Sequence, residues 1–297
     1  DNGGYGNFVI YDSAGNMVKE ETTFDATNDS RGILGISVAS FTNGNVLIAY
    51  RNWYCGYFVI YDSAGNMVKG ETTFYSAGAS NISATALTNG NVLIAYSSSG
   101  GYGNFVIYDS AGNMVKGETT FNAGSTSWNS ATTLTNGNVL IAYRDEGASN
   151  YGNFVIYDSA GNIVKGETTF NAGATSYISA TALTNGNVLI AYQDGSSSSY
   201  GNFVIYDNSG NIVKSETTFN AGETYEISAT TLTNGNVLIA YRDYSSSGYG
   251  NFVIYDSSGN EVKLETTFNA ASTSYISATT LTNGNVLIAY QDGGSSN

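Results

Sequence analysis

Four aromatic residues, Trp128, Tyr177, Tyr225 and Tyr275, stand a few positions after copies of an "ETTF" segment. Four aspartates, Asp145, Asp194, Asp243 and Asp292, stand two positions after the tyrosine of an "AY" pair. Flat amphipathic rings beside carboxylates suit sugars, whose apolar faces stack on rings while hydroxyls bond to fixed acceptors. These eight residues are the expected ligand-binding set, for a glycan or an extracellular protein, because Tyr with Ser, Gly and Asn equally serves adaptable protein recognition. The competing reading is structural, with each ring packed over a strand edge.

Other chemistries are weaker. Arg51, Arg144 and Arg242 occupy equivalent positions, with Ser97, Gln193 and Gln291 between them, and clustered arginines grip a carboxylate bidentately as a sialidase-like hydrolase would. A glycosidase also needs two carboxylates ~5 to 9.5 Å apart with opposed pKa tuning. The aspartates here recur along the chain and do not converge as a unique pair. Cys55, the only cysteine, lacks a histidine to activate it, since the chain has none. The "DSAGN" segments invite calcium, yet each offers one carboxylate where calcium loops collect several. The expectation is therefore a protein that is not an enzyme, with no catalytic residue, metal site or cofactor.

The elements that must carry these residues follow from a repeat. "FVIYD" begins at Phe8, Phe58, Phe105, Phe154, Phe203 and Phe252, and "TNGNVLIAY" at Thr42, Thr88, Thr135, Thr184, Thr233 and Thr282. Within each copy, short runs rich in Val, Ile, Tyr, Phe and Thr read as strands. In the fourth copy they are 178–183, 187–192, 203–207 and 213–219. Asn185-Gly186 predicts a two-residue type I′ hairpin, and "DNSGN" a longer hairpin with Gly210 left-handed. Both connections are tight, so four strands form an antiparallel meander. "NVLIAY" lacks polar alternation and predicts a strand packed on both faces. "ISATAL" carries small residues and predicts the innermost strand, where its Ser and Thr are read as steric fit.

Six such meanders predict an all-β, six-bladed β-propeller forming one domain over 1–297. The blades run about 36–74, 82–121, 129–170, 178–219 and 227–268, with a last blade of 276–292 plus 8–24. Closure by both chain termini would remove exposed edges. Variation between copies is concentrated in the loops after "AY" and after "ETTF", which such a meander displays on one face. Loops on a rigid frame are the usual place for binding groups.

Composition narrows the partners. Net charge is -14 with only 10 Lys and Arg, spread along the chain. Nucleic acid and acidic lipid surfaces both demand clustered basic residues and are not expected. No run approaches the ~18 apolar residues of a membrane helix, and no signal or transit segment is read. One cysteine allows no intramolecular disulfide, and a core this size does not require one.

The consensus "LTNGNVLIAY-D…YGNFVIYDSSGN-VK-ETTFNA", from Tyr5 to Asp292, resembles propeller repeats of large bacterial surface and secreted, adhesin-like proteins. The resemblance implies a monomeric, extracellular or cell-surface module, lectin-like or adhesive, with an inert scaffold or protein-contact module as the alternative.

Overall fold

A computed structural model describes residues 5–25, 32–52 and 55–294, and every regular element among them is a strand. The chain divides into two compact units, Asp1–Ala131 with Ser159–Asn162, and Thr132–Asp158 with Ile163–Asn297.

In the first unit, Gly6–Tyr11 pairs with Met17–Asp25, and Leu34–Ser40, Val46–Arg51, Gly56–Tyr61 and Met67–Tyr75 form a four-stranded meander. In the second, Thr175–Ala182, Val188–Asp194, Tyr200–Tyr206 and Ile212–Asn220 form one meander, and Thr224–Thr231, Val237–Asp243, Tyr249–Tyr255 and Glu261–Asn269 another. The first unit also holds Ser80–Ala86, Val92–Ser97 and Tyr102–Tyr108 as antiparallel neighbours, with Met114–Thr133, a 20-residue strand, paired to the last of them, and in the second Val139–Asp145, Tyr151–Tyr157 and Ile163–Asn171 pair in the same way.

The last copy supplies two strands where the complete copies supply four: in the second unit Thr273–Thr280 and Val286–Asp292 form a two-stranded sheet.

The hairpin at Asn185-Gly186 also differs from expectation. The Leu183 amide donates to the Asn187 carbonyl (2.7 Å) and the Gly186 amide to the Leu183 carbonyl (3.1 Å). Gly186 alone takes a positive φ, 94°. This is a three-residue loop, a type I turn closed by a left-handed glycine, and not type I′. It confines the left-handed conformation to glycine, which has no Cβ to clash. Asn185 instead accepts the Asn187 amide on Oδ1 at 3.0 Å. Asp207 to Asn211 close in the same way, as the sequence predicts there.

Burial explains the residue choices. Val188 to Tyr192 are buried on both faces. Leu183, Leu189, Ala191, Phe203 and Ile205 of the fourth copy pack against Val237, Ile239, Tyr241, Val253 and Tyr255 of the fifth. Each such side chain contributes roughly 1.5–3 kcal/mol of hydrophobic stabilisation. Gly201 makes room for this layer, since a Cβ there would fall 2.5 Å from the Phe219 ring. The buried Tyr192 hydroxyl donates to Glu216 Oε2 at 2.6 Å, so its polar end is satisfied. In the innermost strands, Ser179 Oγ accepts the Ala229 amide and Ser228 Oγ the Ala278 amide, both at 3.0 Å. The small polar residues therefore tie adjacent copies together as well as fitting between them.

Candidate ligand-binding loops

Meander topology puts the loop after the second strand beside the loop that enters the first. The Gly195 amide donates to the Ala174 carbonyl (2.7 Å) within the fourth copy, and the Thr224 amide donates to the Ser199 carbonyl (2.9 Å) between the fourth and fifth. These are the loops in which the copies differ.

The entry into the first strand carries a repeated distortion. In the fourth copy Ser176 pairs with Gln193 and Ser179 with Ala191, so two residues oppose Tyr192 in a β-bulge. The first of them, Tyr177, has φ 50°, and Asn81, Trp128, Glu226 and Tyr275 show φ of 49°, 56°, 53° and 54° at the equivalent place. Left-handed geometry costs a residue with a Cβ ~1–2 kcal/mol. Residues held this way mark places where side-chain direction matters. At Tyr275 the result is a ring 75% exposed, while Trp128 and Tyr177 are half-buried.

This geometry separates the expected aromatic set. Trp128, Tyr177 and Tyr275 share the bulge position, but in the fifth copy that position belongs to Glu226, and Tyr225 precedes it. Tyr225 instead pairs with Arg242 across the strands, as Ser176 pairs with Gln193. Its ring still meets Tyr177 edge to face at 5.5 Å and Tyr244 at 5.7 Å. Burial raises the Tyr225 hydroxyl pKa above its ordinary value, with the Glu223 carboxylate adding to it. Burial does the same at Tyr177, with Glu226 adding.

The aspartates occupy the loop base. Asp145, Asp194 and Asp243 are buried. Their Oδ1 atoms accept the amides of Gly147 (2.9 Å), Ser196 (2.9 Å) and Ser245 (3.0 Å), and Asp292 accepts Gly294 (2.9 Å). Each fixes the turn that follows it. Trp53, at the end of one exit loop, lies outside the described residues.

Of the residues that follow the "AY" tyrosine, Ser97 and Gln193 reach the next copy. Ser97 Oγ donates to the Thr126 carbonyl (2.8 Å) and Gln193 Nε2 to the Thr224 carbonyl (2.6 Å). Arg144 donates from Nε (2.9 Å) and one terminal nitrogen (2.7 Å) to Asn150 Oδ1. Arg242 has glycine, Gly248, where Arg144 has Asn150. Its Nε is buried without a partner, and Nη2 reaches only Ser272 Oγ at 3.4 Å. The guanidinium lies over the Tyr244 ring, 5.3 Å from its centroid. Sequence reasoning missed Glu226 and Tyr244, although "ETYE" and "RDY" are visible departures from the consensus.

The "DSAGN"-type hairpins are each closed by their own aspartate. Asp256 Oδ1 accepts the amides of Ser258 (2.8 Å) and Asn260 (2.9 Å), and Oδ2 the Asn260 side chain (2.9 Å). The Asn260 amide, then its side chain, hold this carboxyl below its ordinary pKa. Three hydrogen bonds within the turn thus fall on one carboxylate.

No protein-family model matches this chain, and no curated protein does. Solved structures do resemble it. The Dos1 propeller superposes with TM-score 0.60 at 16% identity, covering 96% of this chain and 70% of that one. The SapL1 lectin in complex with alpha methyl fucoside gives 0.54 at 14% identity, covering 87% and 88%. An ulvan lyase of a new polysaccharide lyase family, bound to -[GlcA(1-4)Rha3S]-, gives 0.54 at 12%, covering 77% and 69%. At these identities the likeness shows the fold, a β-propeller type.

Proposed function

We propose that this chain is a non-enzymatic, extracellular carbohydrate-binding module whose variable loops hold several weak sites. The observation that carries the reading is the recurrent left-handed bulge, which holds Trp128, Tyr177 and Tyr275 as platforms at a cost in backbone energy. Tyr225 supplies a further ring, and Asp145, Asp194, Asp243 and Asp292 set the loops around them. The printed names of a lectin and a polysaccharide-bound lyase among the fold's neighbours favour a saccharide over other ligands. A polyvalent glycan spanning several sites would gain avidity without new contacts. A glycan array tests this: binding that falls when the four aromatics are changed to Ala supports it. A blank array, with capture of an extracellular protein unaffected by those changes, favours the protein-contact alternative.

The fold that presents these loops is proposed as six blades closed by the chain termini. Phe8, Ile10, Val38, Val46, Ile48 and Tyr61 line an apolar groove of about 480 Å³ in the first unit. The fourth and fifth copies fill the equivalent groove with leucines matching Leu281 and Leu287, which are themselves exposed. Closure requires that Leu287→Ala cost stability as a core substitution does; a change without cost would overturn it.

A further inference from the structure

In a chain of near-identical copies, the fifth departs from the fourth at ten positions, and six of these fall in the loops after "ETTF" and after "AY" or at their ends. Glu223, Tyr225, Glu226, Tyr244 and Gly248 stand where the fourth has Ala174, Ser176, Tyr177, Gly195 and Ser199, and Arg242 replaces Gln193. These positions are up to 25 residues apart in sequence, yet they converge. Tyr225 touches both Tyr177 and Tyr244, Arg242 lies over Tyr244, and Glu223 and Glu226 act on Tyr225 and Tyr177. The glycine at 248 withdraws the acceptor that Asn150 gives Arg144, leaving the Arg242 donors under-used. Four other differences, Thr231, Ser257, Glu261 and Leu264, lie elsewhere in the copy; the six at the loops assemble rings, carboxylates and a guanidinium in one spot.

We infer that this cluster is one dominant subsite for a neutral pyranose bearing adjacent free hydroxyls, an inference that rests on the carbohydrate reading above. A polyanion is disfavoured by the two glutamates and the net charge of -14. A simple cation is disfavoured because Arg242 already covers the Tyr244 face. A neutral sugar uses every group: the guanidinium donates to one hydroxyl oxygen, a glutamate accepts the proton of its neighbour, and a tyrosine ring takes the apolar face. Because the ligand is neutral, binding persists at high salt.

The test is calorimetric titration of the full chain with methyl galactoside, methyl mannoside, methyl fucoside, methyl glucuronide and glucosamine. Tyr225→Ser, Glu226→Tyr and Arg242→Gln place the fourth copy's residues in the fifth, so the strands already accommodate them. The expected result is binding of at least one neutral glycoside at about one per chain, weakened ~10-fold by each variant, or about 1.4 kcal/mol. Glucuronide and glucosamine bind more weakly than the neutral ligand. Should a strand variant lose its native melting transition, Tyr244→Gly on the exposed loop repeats the test. Sugar binding unaffected by these variants, at several per chain, or strongest for the glucuronide overturns the single neutral subsite while leaving the carbohydrate reading intact. No binding of any of the five glycosides overturns the subsite, and the array result then decides the broader reading separately.

Discussion

Twelve identical residues, "TNGNVLIAYQDG", occur in the fourth copy at 184–195 and in the last at 282–293. Their local structure is the same. Leu183 and Leu281 donate to Asn187 and Asn285 at 2.7 and 2.8 Å, and Gly186 and Gly284 take φ of 94° and 87°. Their surroundings differ completely: Leu189 is 0% exposed and Leu287 49%, Tyr192 0% and Tyr290 42%. A segment makes its own hairpin, whereas a core needs a neighbour on each face.

The largest expected effect breaks this comparison directly. Leu189→Ala should cost ~2–5 kcal/mol, as deletion of a fully buried leucine does. Leu287→Ala should cost as much if the last copy is completed by the chain's first strands, and almost nothing if its face stays exposed. Denaturant unfolding of the two variants side by side distinguishes these outcomes.

A smaller effect concerns the satisfied polar groups of the complete copies. Tyr192→Phe leaves Glu216 without its hydroxyl donor and should cost ~1–3 kcal/mol. Burial first, and the bond to Glu216 second, hold the Tyr192 hydroxyl well above its ordinary 10.0. The folded protein thus retains a proton that the unfolded chain releases. This stabilisation is complete below pH ~10 and declines as pH rises from there toward the folded value. Thermal melts above pH 10 should show a shallower loss with pH in Tyr192→Phe than in the native chain. Identical slopes would remove the hydroxyl from the account.

The smallest effect sharpens the contrast between frame and loops. Glu226 sits at φ 53°, where glycine is unstrained and alanine is not. Glu226→Gly should therefore be more stable than Glu226→Ala by ~1 kcal/mol, even though glycine ordinarily destabilises a strand. Equal melting temperatures would mean that the bulge stores no strain.

Much of the frame was legible because its causes are local. The meander order, the doubly buried "NVLIAY" strand and the left-handed glycine at Gly210 all follow from short-range pattern and turn chemistry. The Asn185-Gly186 turn was misread because the dipeptide suits two loop types, and the side-chain bond from Asn185 to the Asn187 amide accompanies the one adopted. The candidate site was legible only in outline. Trp128, Tyr177 and Tyr275 were found at one structural position, but Tyr225 was grouped with them by residue type, while its register places Glu226 there. The aspartates were recognised as polar groups near the loops, not as turn formers whose Oδ1 atoms accept loop amides.

By itself, the sequence determined the number of copies, the strands within each and the face on which variation falls, because each depends on residues within a few positions of one another. Only the tertiary structure decided that Tyr225, Tyr244 and Arg242 meet, that glutamate occupies the bulge in the fifth copy, and that Leu189 packs against Val237 and Ile239 of the next copy. Those outcomes depend on packing between strands distant in sequence. Identical segments carry no record of which neighbour will cover them.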